Sequence, residues 1–214
     1  MAFNKIDIET CFKSLKIDGY KFKKEVMGFS WTKKGNSFTE RIVIGYGGYP
    51  DSYNVYSPVA EIYFHDIEEV LEKFDFNERH VPTISRPFHD VQGIKYELLS
   101  TEINSDDSFD IVKKVVEKIL EKGVFLFLNR FTSLQEIADF LADKKVEEIV
   151  PYIQGGILLP KTALILKTTN HPKFKDRLYE FKNILLEYSL KNNRYQILLE
   201  KFNKLFASDL EVSL

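Results

Sequence analysis

The sequence has 214 residues, of which 44% are hydrophobic and 14% aromatic, so it can bury a substantial core as one domain or two closely packed subdomains. Its single cysteine, Cys11, excludes an internal disulfide and any cysteine-rich zinc module. The formal net charge of −2 gives no overall field that would attract nucleic acid or an anionic membrane, so either partner would need a local basic patch.

The location of the protein is indicated by two negative signals in the sequence. The first residues, MAFNKIDIETCFKSLK, mix charges throughout and have no apolar central run of the kind found in secretory signals. No segment approaches the roughly 18 continuous apolar residues that a membrane span requires. We therefore expect a cytoplasmic protein without a membrane partner.

The first predicted element is a short amphipathic helix over residues 6–15, with Asp7 as its cap and Gly19 after its end. The best-patterned stretch of the chain follows at residues 26–64. Apolar side chains alternate in two runs, which predicts an antiparallel hairpin that turns at residues 34–37. The alternating residues are Met27, Phe29 and Trp31 in one run and Phe38, Ile42, Ile44 and Tyr46 in the other.

A third run over residues 55–64 extends the hairpin to a three-stranded meander, with Tyr56, Ala60, Ile62 and Phe64 on one face. Such a sheet needs helices to cover its apolar face. The stripe of apolar residues over 65–74 predicts a helix, and prolines and Gly93 restrict 75–93 to edge strands or loops. Residues 94–103 are predicted to add a strand.

Helical periods dominate the rest of the sequence. A polar run at 104–108 caps a predicted helix that we expect to end at Gly123, while residues 124–128 are either a buried strand or a buried helical turn. Ser133 and Glu136 form a capping box for the next helix. Further helices are predicted to begin near Pro160 and Pro172, and the last two are predicted to turn at Asn192 and Asn193.

The order of these elements predicts an α+β fold. An N-terminal antiparallel meander sheet covered by helices is followed by an all-helical C-terminal half. The polar run marks the predicted boundary, with an α+β subdomain at 1–104 and a helical subdomain at 105–214. We expect the two to pack together as one compact unit.

Two His-Asp pairs, His65-Asp66 and His89-Asp90, are the first candidates for metal-dependent hydrolysis, because imidazole and carboxylate groups bind divalent ions and exchange protons. Their spacing matches no metal motif, and His65-Asp66 is also suited to a helix start. The glycines at 45–48 lead into a strand rather than a helix, so they do not form a nucleotide loop. The sequence predicts no catalytic residue and no cofactor.

Tyrosines are concentrated between residues 46 and 63, on a stretch that is also rich in glycine. Amphipathic side chains of this kind suit contact with a protein partner. The alternative is that they cover the sheet edge and fill its core, as aromatic strand residues commonly do. The candidate binding residues are Tyr46, Tyr49, Tyr53 and Tyr56.

The segment from Pro160 to Lys204 contains ten Lys or Arg residues and four acids, which suggests nucleic-acid binding as a further alternative. A solvated helix face explains the same charges more simply, because the interleaved aromatics have core spacing. The basic residues are Lys161, Lys167, Lys173, Lys175, Arg177, Lys182, Lys191, Arg194, Lys201 and Lys204.

The layout of helix, Gly-Phe-Ser-Trp hairpin, apolar strand and the segment GVFLFLNRFTSLQEIADFL at 123–141 resembles a group of uncharacterised bacterial domains. Some of them are similar to immunity proteins of polymorphic toxin systems. The resemblance implies a non-enzymatic protein that binds another protein, such as a toxin. It carries over no catalytic residue, and the oligomeric state stays open.

Overall fold

The structure is a computed structural model that describes residues 7–49, 52–76, 81–94, 102–153 and 155–210. The chain forms two compact units, of which the first comprises Met1–Ile62 and Ser85–Arg130 and the second Tyr63–Ile84 and Phe131–Leu214. The sequence prediction placed one boundary between residues 104 and 105. The chain instead passes from one unit to the other three times, at 62/63, 84/85 and 130/131.

The fold is α+β, as predicted. The strands are β1 (Lys21–Glu25), β2 (Gly28–Lys34), β3 (Phe38–Tyr49), β4 (Ser52–Val55), β5 (Val59–Phe64) and β6 (Ile84–Pro87). They form one sheet in the order β1-β2-β3-β5-β6, with β4 paired to β3. The predicted hairpin is β2 and β3, which pair antiparallel from Gly28 opposite Gly45 to Lys34 opposite Thr39. Proline in β6 is tolerated because this strand ends the sheet.

The strand β1 was missed by the sequence prediction, which placed Met27 in the same strand as Phe29 and Trp31. Met27 instead lies in the turn between β1 and β2 and is 69% exposed, so its predicted place in the core is wrong. Phe29 and Trp31 are buried as predicted. The charged run of β1, ahead of Gly28, is the signal that a separate edge strand ends there.

Helices cover this sheet within the first unit. Helix α1 (Ile8–Lys13) is capped by Asp7, and its Phe12 stacks on Phe29 with ring centroids 4.9 Å apart. Phe109 of α3 (Asp106–Ile119) meets Phe12 edge-on at 5.6 Å. The buried aromatic cluster therefore joins two helices to the central hairpin, which is what the one-sided sheet required.

Gly123 does not end a helix, contrary to the sequence prediction. Helix α3 continues through a π-helical turn at Leu120–Val124 into α4 (Phe125–Arg130), so residues 124–128 are helical. A Cβ on Gly123 would lie 2.6 Å from Cδ1 of Phe88 and 2.9 Å from Cγ2 of Val91. The glycine is required for this close approach rather than as a helix terminator.

In the second unit, all described elements other than the ends of β5 and β6 are helices. Both predicted capping-box residues act as such, since Ser133 Oγ accepts a hydrogen bond from the Glu136 amide and Glu136 accepts one from the Ser133 amide. The helices are α2 (His65–Lys73), α5 (Leu134–Ala142), α6 (Val146–Ile149), α7 (Leu158–Thr168), α8 (Phe174–Ser189), α9 (Asn193–Leu205) and α10 (Ala207–Leu210).

Helix α7 is buried on all sides from Leu158 to Leu166. Asn192 caps α9 by accepting a hydrogen bond from the Arg194 amide, which agrees with the predicted turn. Most of the predicted strand at 94–103 lies outside the described residues, although Ile103 forms a bridge to Tyr53. In the described ranges, no helix combines the length and the apolar character needed to cross a bilayer.

Candidate functional site

The tyrosine-rich stretch is a hairpin rather than a loop. Strand β3 runs on to Tyr49, and β4 pairs with it from Tyr46 opposite Val55 to Tyr49 opposite Ser52. Tyr46 stacks on Phe29 at 5.1 Å and meets Tyr53 edge-on at 5.7 Å. Tyr46 and Tyr53 are half-buried, which agrees with the alternative that these aromatic side chains fill the core of the sheet. Their role in binding stays a prediction. The side chain of Tyr49 lies outside the described part of the structure.

Tyr56 differs from the other candidate tyrosines because its side chain is 55% exposed. Its ring lies over two glycines of β3: a Cβ on Gly45 would be 2.8 Å from Tyr56 Cδ2, and one on Gly47 would be 2.3 Å from Tyr56 Oη. The Tyr56 amide also donates to the Gly45 carbonyl at 2.9 Å. Glycine at these positions lets the ring cover the strand backbone while its outer side faces solvent.

Two more exposed apolar residues, Val26 and Met27, lie in the turn that leads into β2. Val26 is 96% and Met27 69% exposed. The Met27 carbonyl accepts a hydrogen bond from the Tyr46 amide and lies 3.5 Å from the position of a Cβ on Gly45, the glycine that Tyr56 covers. Val26, Met27 and Tyr56 thus occupy one end of the sheet, and we call them the apolar tip.

Polar contacts hold the turn that carries the apolar tip. Glu25, directly before Val26, accepts hydrogen bonds from Ser30 Oγ at 2.9 Å and from Arg41 Nη2 at 3.2 Å. Arg41 also pairs with Glu61 at 3.1 Å. Partial burial opposes ionisation of Glu25, but the Ser30 hydrogen bond and the Arg41 charge outweigh it and lower the Glu25 pKa. These contacts tie the residue before Val26 and Met27 to β2 and β3.

The His-Asp pairs do not assemble a metal centre in the described part of the chain. His65, Asp66, His89 and Asp90 are all exposed, and the first pair starts α2 while the second follows β6. Among the described residues, no group of three or more His, Cys, Asp or Glu side chains is placed to hold a metal ion. Asp90 instead lies 3.4 Å from Arg86 Nη2.

Five of the ten basic residues in the C-terminal segment form ion pairs with acids of the second unit. Lys167 pairs with Asp209 at 2.6 Å, and Lys173 pairs with Asp143. Three more contact acids: Lys161 with Glu68, Arg177 with Glu180, and Lys201 with Asp75. The positive charge that these helices can offer to a nucleic acid is correspondingly smaller than the sequence count suggests.

Lys161 was counted among the residues of a solvated helix face, and this is wrong because it is completely buried. Its ammonium donates to the carbonyls of Val81 at 3.0 Å and Pro82 at 2.9 Å and lies 3.2 Å from Glu68 Oε1. Burial lowers the Lys161 pKa, and the Glu68 charge opposes that shift. Thr83 Oγ1 donates to the same carboxylate at 2.6 Å, so each member of the cluster has a partner.

No family model, no curated protein and no solved structure matches this chain. The geometry of the described residues therefore carries the functional argument.

Proposed function

We propose that this protein acts by binding another protein, and that the apolar tip is the contact surface. The observation that carries the proposal is that Val26, Met27 and Tyr56, with exposed fractions of 96%, 69% and 55%, lie at the same end of the sheet. Single exposed apolar residues are common on protein surfaces, whereas a contiguous group costs solubility and is typical of interaction sites.

The residue types of the apolar tip fit this role. Tyrosine and methionine are enriched at the centres of protein interfaces, because they bury a large area and adapt to a partner's shape. The Tyr56 ring is already held over Gly45 and Gly47, so little side-chain freedom is lost when a partner binds. The proposal therefore centres on Tyr56 and two residues of a neighbouring turn, whereas the sequence hypothesis named Tyr46, Tyr49, Tyr53 and Tyr56.

The narrower form of the proposal is an immunity-like role in a bacterial cytoplasm, with a toxin as the partner. The resemblance in layout supports this form, and the exposed apolar tip supports protein binding in general.

Affinity capture from an extract of the native host tests the proposal. Wild-type protein is compared with the double variant Met27→Ser/Tyr56→Ser, and bound proteins are quantified by mass spectrometry. We expect a partner whose recovery falls at least about tenfold with the double variant, since losing two central contacts of about 1–2 kcal/mol each is enough.

The matched control is Leu126→Ser, which removes a 64% exposed apolar side chain from α4 in the same unit. Partner recovery should be unchanged with this variant. Equal partner recovery with wild type and the double variant would show that the apolar tip is not the contact surface. Circular dichroism of both variants shows whether the fold is retained.

A further inference from the structure

The second unit contains a groove of about 700 Å³ that is separate from the apolar tip. This volume lies within the range of about 300–1,000 Å³ that is usual for small-molecule sites. One side of the groove is apolar and includes Phe76, Ile157 and Leu198, while Gly155 and Gly156 contribute backbone without side chains. The groove therefore combines an apolar wall with an uncovered stretch of main chain.

Arg194 supplies the charge that distinguishes this groove. Its side chain is exposed, and its Nη2 lies 3.4 Å from the position that a Cβ on Gly156 would take. Within the described ranges, the guanidinium has no hydrogen-bonding or ion-pair partner, in contrast to the other arginine of this segment, Arg177, which contacts Glu180 and the Lys144 carbonyl. A guanidinium presents several donors in a plane, a geometry that matches carboxylate and phosphate groups.

The structure describes two other charged side chains at the groove, Lys201 and Asp75, and they pair with each other. Lys201 Nζ lies 2.8 Å from Asp75 Oδ2 and also donates to the Asp75 carbonyl. Asp75 adopts a left-handed backbone conformation with φ of 58°, which presents that carbonyl at the end of α2. The hydrogen bond from Lys201 lowers the Asp75 pKa, which favours the Asp75 carboxylate. Among the lining residues that the structure describes, Arg194 is the cation without a counter-charge.

We propose that this groove binds a small amphipathic organic anion. The anionic group, a carboxylate or a phosphate ester, lies against the Arg194 guanidinium above the Gly155–Gly156 backbone, and the apolar body of the ligand packs on Phe76, Ile157 and Leu198. The proposal is independent of protein binding at the apolar tip, because it uses other residues of the other unit.

The test uses 8-anilinonaphthalene-1-sulfonate as an anionic probe and N-phenyl-1-naphthylamine as its uncharged counterpart. We expect saturable, blue-shifted fluorescence of the anionic probe with the folded wild-type protein. Arg194→Gln should weaken this binding about tenfold or more, as expected for a lost charge-assisted hydrogen bond. Binding of the uncharged probe should not change with this substitution.

Lys175→Gln is the matched control, because it removes one positive charge from an exposed position on α8 of the same unit. Affinity for the anionic probe should stay within about twofold of wild type, since screening by salt makes distant surface charges weak. Arg194→Lys should recover part of the affinity, which separates loss of charge from damage to the fold.

Two further readouts place the bound anion and identify its group. Amide resonances of Gly155 and Gly156 should shift on titration with the anionic probe. Decanoate or octyl phosphate should displace the probe, and the stronger competitor shows whether the groove prefers a carboxylate or a phosphate ester. Equal probe affinity for wild type and Arg194→Gln, unshifted glycine amides, or no displacement by either competitor would each overturn the proposal.

Discussion

The apolar tip of the first unit and Lys161 of the second unit reverse the usual places of their residue types. Val26, Met27 and Tyr56 are apolar or aromatic and lie exposed, whereas Lys161 is charged and completely buried. The lysine has its partners within its own unit, namely Glu68 and the carbonyls of Val81 and Pro82.

The contrast distinguishes side chains that stabilise the fold from side chains that are available to bind a partner. A buried ammonium group with a carboxylate and two carbonyl partners has its hydrogen bonds satisfied within the protein. Its role is therefore to stabilise the fold rather than to bind a partner. Exposed apolar surface is different, because its burial against a partner would be favourable by about 25 cal/mol per Å².

Replacing Lys161 by alanine should lower the free energy of unfolding by about 3–5 kcal/mol, because it leaves the Glu68 carboxylate and two carbonyls without their cationic donor. Urea denaturation monitored by circular dichroism measures the change. The double variant Lys161→Met/Glu68→Gln should recover part of the loss, since no uncompensated charge remains. A Lys161→Ala variant within about 1 kcal/mol of wild type would show that the buried cluster is dispensable.

Gly123→Ala should destabilise the protein by about 1–3 kcal/mol, because the added methyl group overlaps Phe88 and Val91. Helix propensity alone predicts the opposite sign, a gain of up to about 1 kcal/mol. Thermal denaturation of the variant therefore decides between close packing against Phe88 and Val91 and a helix-interior glycine that has room for a methyl group. An increase in melting temperature would contradict the close packing.

Gly47→Ala should displace the Tyr56 ring, since the new Cβ would lie 2.3 Å from the hydroxyl oxygen. The ring end can swing away, so the free energy of unfolding should change by less than about 1 kcal/mol. Tyr56 ring-proton shifts in NMR spectra report the displacement. Partner recovery in the capture experiment should fall with the same variant, and unaltered recovery would mean that the ring position does not matter.

Glu136→Gln should remove a small pH dependence of stability. The Thr132 hydroxyl and the Ser133 and Thr132 amides lower the Glu136 pKa below its ordinary value of 4.5. The folded state therefore holds the Glu136 proton more weakly than the unfolded state, and the stabilisation is present above 4.5 and lost as pH falls through the folded pKa. Unfolding curves across this range should show a shrinking difference between wild type and variant; a constant difference would contradict the assignment.

The sequence predicted the fold well where a local pattern decided the structure. The alternation of Phe29 and Trp31 fixed the central hairpin, and Ser133 with Glu136 fixed a helix start, because both signals act over a few residues. The predicted helix end at Gly123 was wrong because this glycine is required by the close approach of Phe88, which is 35 residues away in sequence. A close approach between distant segments leaves no local periodicity.

The surface residues were harder to predict than the fold. The binding role of Tyr46, Tyr49, Tyr53 and Tyr56 stays a prediction. The exposure of Val26 and Met27 was not predicted, because the alternation of Met27, Phe29 and Trp31 runs unbroken through the turn. Burial of Lys161 was equally hidden, since its partners Glu68, Val81 and Pro82 come from distant parts of the sequence. Sequence patterns show which residue types recur, whereas the contacts between elements decide which of them stay exposed.

Site-specific photo-crosslinking in the native host tests the central claim most directly. A benzophenone amino acid is introduced in place of Met27 in one protein and in place of Leu126 in another, and crosslinked species are identified by mass spectrometry. We expect a discrete crosslinked partner from position 27 and none from position 126. Crosslinks from position 126 alone, or the same partner equally from both positions, would contradict the assignment of the apolar tip as the binding surface.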